Sequence, residues 1–153
     1  MDAATRKRLL EQYRDGYRTV SEAVAGLSDA ELDRVPADGW TARQIVHHLA
    51  DSEITSAIRL RRLIAEQQPV IHGYDEELFA KRLYYDRPIG PSLEALKAAR
   101  STTADIVERL SEAEWQRSGT HSESGAYGVE TWLEIYAAHA HDHAEQIRRA
   151  LKP

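Results

Sequence analysis

The chain has 153 residues, a formal net charge of −5 and no cysteine. That length buries a hydrophobic core in one domain, and the missing thiols exclude disulfides, thiolate zinc sites and a cysteine nucleophile. Acids and bases are interspersed with no basic block for nucleic acid, and no stretch approaches the roughly 20 apolar residues of a membrane span. The N-terminus, Met1-Asp-Ala-Ala-Thr-Arg-Lys-Arg, leads directly into a charged amphipathic pattern. Neither a signal peptide nor a membrane partner is expected, and a cytoplasmic protein with a single domain over 1–153 is.

The pattern is helical almost throughout. Leu10, Tyr13, Tyr17, Val20, Val24 and Leu27 recur at steps of three and four, which predicts a first amphipathic helix. Gly16 is a weak spot inside it, costing about 1 kcal/mol against alanine. Ser28 opens a short helix with Glu31 completing a capping box, and the run Pro36 to Gly39 ends it. Thr41 and Gln44 form the same box at the start of a second long helix, which carries Ile45, Leu49, Ala57, Leu60 and Leu63 and runs to about Gln67 before Pro69 stops it. Residues 69–91 hold three of the five prolines and two glycines, which predicts a long crossover with one short helix near Glu76 to Lys81. Ser92 is the expected cap of a third long helix with the stripe Leu93, Leu96, Thr103, Val107 and Leu110. Ser111 and Glu114 repeat the capping box. Gly119 to Gly128 reads as a polar loop or small hairpin, and a last helix runs from near Glu130 to about Leu151.

A shift of 83 positions lays the first stripe on the third. Leu10 falls on Leu93, Tyr13 on Leu96, Val24 on Val107 and Leu27 on Leu110, and the two capping boxes coincide. With eight more residues in the second loop, His48 falls on His139. Two helix pairs that each leave an apolar face uncovered predict an all-α four-helix bundle, and the long middle crossover means its path need not be simple up-down-up-down.

Five of the seven histidines lie in two groups: His47 and His48, then His139, His141 and His143. His139 and His143 share the inward stripe of the last helix with Trp132, Tyr136, Ala140 and Ile147, one turn apart, so both rings can reach one ion. Buried imidazoles without partners cost about 1–3 kcal/mol each, so a cation or hydrogen-bond partners must satisfy them. The second helix offers a third ligand. His48 lies beside its inner stripe and His47 about 100° away; periodicity favours His48 but leaves both open. His141 points to the other side, where it is expected to be exposed. Three neutral imidazoles leave coordination positions for water or substrate and suit zinc, nickel, iron or copper better than magnesium or calcium. Asp51 and Asp142 are candidates to orient a ligand ring, Asp142 more readily a surface ion pair.

Other residues admit two readings. Tyr74, Asp75 and Glu76 either line the site from the crossover or open a short helix, where acids suit the helix dipole. Trp40 is a substrate wall or a hydrophobic staple, and Arg59 an anion-binding group or a solvated arginine. His72 and His121 are loop residues with no constellation around them.

Two segments carry a family resemblance. Gly39-Trp40-Thr41-Ala-Arg43-Gln44-Ile-Val-His47-His48-Leu-Ala-Asp51-Ser52 resembles the first metal-ligand region of the DinB/YfiT-like superfamily, and Tyr136-Ala-Ala-His139-Ala-His141-Asp-His143 its second. Gly73-Tyr74-Asp75-Glu76 and the spacing look most like the YfiT branch, and the resemblance spans about residues 28 to 150. It implies an up-down-down-up four-helix bundle, one nickel or zinc per chain on His48, His139 and His143, and a homodimer. It also implies an enzyme acting on a small-molecule substrate, either a metal-dependent hydrolase or an S-transferase using a low-molecular-weight thiol. Leu49 and the polar 119–128 loop depart from the family's pattern without touching the metal motif. No catalytic base is nameable, and a non-catalytic metal- or ligand-binding bundle is the alternative.

Overall fold

The computed structural model describes residues 1–37 and 39–152. Asp38, within the expected Pro36 to Gly39 stop, and Pro153, the last residue of the expected domain, lie outside the described residues. Four long helices, α1 (Ala3–Val24), α3 (Ala42–Ala65), α5 (Gly90–Val107) and α7 (Val129–Ala150), form the bundle. Between them lie the short helices α2 (Asp29–Leu32), α4 (Glu76–Arg82) and α6 (Glu112–Trp115) and the strands β1 (Val70–Ile71), β2 (Ser118–His121) and β3 (Gly125–Gly128).

Side-chain contacts fix the helix directions. The Met1 amino group and Arg6 both meet Glu130, so α1 and α7 start at the same end. His47 meets Ser92 near the starts of α3 and α5, and Arg61 meets Thr103 near their ends, so these two run parallel. Arg14 pairs with Glu108, setting α1 against α5, and Trp132 donates to the Ser56 carbonyl, setting α7 against α3. The path is therefore up-down-down-up, as the resemblance implied. The parallel α3–α5 step is what the long 66–89 crossover must span.

The caps at Ser28, Thr41 and Ser111 are all capping boxes with both hydrogen bonds present. The short helices α2 and α6, four residues each, stand 83 positions apart, matching the repeat. Ser92 is a correction. Pro91 sits in the first turn of α5, the cap is Ile89, and Ser92 is buried with its hydroxyl on His47. The loop at 119–128 is a hairpin, Ser118 opposite Gly128, and β1 adds to it in parallel, Val70 opposite Thr120. The third strand was not expected; Gly119 permits it, because a Cβ there would stand 2.2 Å from the Pro69 carbonyl oxygen.

Gly16 is also a correction. A Cβ at this position would lie 2.7 Å from Ala140 Cβ and 2.7 Å from Arg100 Nη2, so the missing side chain lets α1 and α7 meet. This contact marks a polar waist between two apolar halves. One half packs around Trp132, Leu60, Leu63 and Val107, the other around Ile45, Leu49, Val20 and Ile147. At the waist Arg100, 2% exposed, donates 2.6 Å to Glu53, 1% exposed, and to the carbonyls of Tyr13 and Tyr136 at 2.6 and 3.1 Å. Tyr13 gives its hydroxyl proton to Glu53, and its ring lies 4.0 Å from the Arg100 guanidinium carbon.

Candidate metal centre

His48 projects from the second turn of α3, and His139 and His143 from one face of α7. Each of the three imidazoles offers one nitrogen within 4.8 Å of the others. The ring centroids are 4.5 Å apart for His139 and His143, 4.7 Å for His48 and His143, and 5.6 Å for His48 and His139. His48 is buried, and its Nδ1 has no hydrogen-bond partner among the described residues. His143 Nδ1 lies 2.7 Å from Gln146 Oε1; the amide oxygen only accepts, so Nδ1 carries the proton and Nε2 keeps its lone pair. The donor set, neutral imidazoles with an unused buried nitrogen, fits a divalent transition-metal ion.

His47 is occupied elsewhere. It is fully buried, with Nε2 at 2.9 Å from the Arg87 carbonyl oxygen and Nδ1 at 2.8 Å from Ser92 Oγ. The carbonyl requires a proton on Nε2, so Nδ1 accepts from Ser92 and no lone pair remains for a metal. His141 is not simply exposed: it is half-buried and ties α7 to α1, with Nε2 at 2.9 Å from the Gln12 carbonyl oxygen. Neither acid orients a ligand ring. Asp51 accepts from the Tyr85 hydroxyl at 2.7 Å, and Asp142 is exposed. The orienting group is Gln146.

Burial lowers the His48 imidazole to about 4 and His139 to about 3, with the neighbouring histidines adding repulsion, and lowers His143. All three are neutral near pH 7, as ligands must be. The unfolded chain takes up these protons near pH 6.5 and the folded chain does not. Metal-free protein should therefore lose stability as pH falls from about 6.5 toward about 4. Urea midpoints of chelator-treated protein at pH 7 and pH 5 check this; an unchanged midpoint contradicts it.

A cavity of about 260 Å³ opens beside His139. Ser52, Arg59 and Tyr136 line it from the helices, Tyr74 and Glu76 from the crossover, and His121 and Glu123 from the hairpin. Tyr74 and Glu76 thus line the site, whereas Asp75 is the cap of α4, accepting from the Leu78 amide. Arg59 lines it too, donating to the Tyr136 hydroxyl and the His72 carbonyl. Trp40 packs edge-on to the His48 ring at 4.9 Å and donates to Glu77. His121, expected to stand alone, is 9% exposed, packs tilted against Tyr127 and lines this cavity. A larger hollow of about 610 Å³, lined by Trp40, Arg34, Gln146 and Arg149, includes none of the three histidines and no unpaired buried polar atom. Of the two, only the smaller is lined by one of the three histidines.

Comparison with known proteins gives four matches. The family described as the DinB superfamily matches residues 12–147. An Oceanobacillus iheyensis protein named "putative metal-dependent hydrolase" is 34% identical over 144 residues, spanning 94% of this chain and 84% of that protein. A Halalkalibacterium halodurans protein of the same name is 28% identical over 126 residues, covering 82% and 74%. Among solved structures, Bacillus subtilis YfiT, described as "a probable metal-dependent hydrolase with an unusual four-helix bundle topology", superposes with a TM-score of 0.91 at 26% identity, over 98% of this chain and 87% of that one. No helix among the described residues is long and apolar enough to cross a membrane.

Proposed function

The chain belongs to the DinB superfamily, and from that premise we propose that it is a metal-dependent hydrolase of small molecules whose nickel or zinc ion is held by His48, His139 and His143. One observation carries this reading: three clustered imidazoles, of which His48 keeps a buried nitrogen with no partner among the described residues. The names of the relatives point the same way. A divalent ion bound there would lower the pKa of a coordinated water toward about 7 and polarise a substrate oxygen. The surrounding residues orient and shield. Gln146 holds the His143 tautomer, and the rings of Trp40 and Tyr136 pack against His48 and His139, the latter at 5.6 Å, and limit water. Its partners on this reading are a small-molecule substrate and a second copy of the chain.

The test is turnover by metal-loaded protein across esters, amides and a low-molecular-weight thiol with a model electrophile. Ester or amide cleavage that stops on chelation and returns with added metal is the expected result. Turnover only with the thiol would replace hydrolysis by S-transfer at the same ion, and no turnover across the panel would favour a binding module.

A further inference from the structure

We propose that the cavity beside His139 is a carboxylate-binding subsite, so that the substrate carries a free carboxylate close to the bond cleaved at the metal centre. The second half of this statement rests on the hydrolase reading; the first does not.

The cavity's unpaired groups select the ligand. Among the described residues, the buried side-chain nitrogens and oxygens without a partner are His48 Nδ1, Arg59 Nε, Tyr74 Oη and Tyr127 Oη. The first belongs to the candidate metal centre. Two of the other three, on Arg59 and Tyr74, belong to residues that line the adjoining cavity, and Tyr127 packs behind the lining residue His121. The guanidinium carbon of Arg59 is 5.9 Å from the Tyr74 ring, and the Tyr127 ring lies tilted against His121 at 5.5 Å. Burial pushes the Tyr74 hydroxyl up to about 12 and raises that of Tyr127, so both keep their protons. By distance and angle none of the three has a hydrogen-bond partner among the described residues, although the Tyr74 hydroxyl lies near Ser52 and the Tyr127 hydroxyl near Arg59, and a buried donor left without an acceptor costs stability. Arg59 is held in place by Tyr136 and His72 through its terminal nitrogens, at 3.2 and 2.8 Å, which leaves Nε–H free of that framework.

A fixed guanidinium with hydroxyl donors beside it matches a planar oxyanion with several lone pairs, and charge assistance strengthens each bond. Glu76 and Glu123 also line the cavity. Their negative charge opposes any anion and a dianion more than a monoanion, so among oxyanions held by Arg59 the subsite favours a singly charged carboxylate over doubly charged phosphate.

Titration of metal-loaded and chelator-stripped protein with N-acetylglycine, N-acetylglycinamide and inorganic phosphate, followed by NMR, tests this. N-acetylglycine should bind about tenfold or more tighter than the other two, in both forms of the protein. Arg59→Gln should abolish the preference. Tyr127→Phe should weaken it severalfold while leaving the melting temperature of free protein unchanged or raised, because it removes an orphaned hydroxyl rather than a contact. Equal binding of acid and amide to wild-type protein overturns the proposal, as does tighter binding of phosphate or a preference that survives both substitutions. Because the stripped protein is measured too, a failure of the metal centre would leave the carboxylate preference readable.

Discussion

Glu53→Gln should destabilise the protein by about 3–5 kcal/mol, the largest single effect expected outside the metal centre. Glu53 and Arg100 are among the most buried side chains, and they meet at the waist where the two apolar halves of the core join. Glutamine keeps the volume but removes the charge, so the guanidinium is left buried with only two carbonyls and a neutral amide. Two charges taken out of water gain little over an apolar pair, but one charge left alone is costly. The double variant Glu53→Met/Arg100→Met should therefore lose less than Glu53→Gln alone. Urea unfolding of metal-free protein reads both. A Glu53→Gln cost below about 1 kcal/mol would show that the pair is not the electrostatic unit its geometry implies.

The second large effect separates neighbouring residues. His48→Ala should eliminate tight metal binding while leaving a folded protein, since its unpartnered nitrogen contributes no hydrogen bond to the metal-free chain. His47→Ala should do the reverse. It orphans Ser92 Oγ and the Arg87 carbonyl, and should cost about 1–3 kcal/mol of stability with metal still bound. Equilibrium dialysis against nickel or zinc, paired with urea melts, resolves the two. Equal metal loss in both variants, or stability loss in His48→Ala with metal retained, would reverse the assignment.

The long helices were legible because each buries a stripe at helical spacing, and α2, α3 and α6 begin on a side chain that accepts from a free amide. The same rule misplaced the start of α5. Ser92 stands before an apolar stripe as a cap does, yet Pro91, with its preset φ and no amide proton, already marks the first turn. The waist was readable but unread. Glu53 lies four residues from both Leu49 and Ala57, and Arg100 four from Leu96, so opposite charges occupy two inner stripes. Gly16 looked like a flaw because its neighbours across α7 and α5 are not adjacent in sequence. β1 has two residues, too few to show alternation.

At the site, helical spacing found His139 and His143, and the repeat and the resemblance pointed to His48. The partner of His143 was missed because Asp142 is adjacent in sequence, but adjacent helical residues point about 100° apart; a residue three on, Gln146, shares the face. Arg59, Tyr74 and Glu76 were named without knowing that they meet. His121 and Glu123 reach the same cavity only because the hairpin folds back beside the crossover, a long-range pairing that no local pattern carries.

Elemental analysis of protein purified without chelator tests the central claim most directly. The imidazole cluster predicts about one nickel or zinc per chain, lost in His139→Ala/His143→Ala. Wild-type protein that carries no such metal and takes up none when nickel or zinc is added would contradict it.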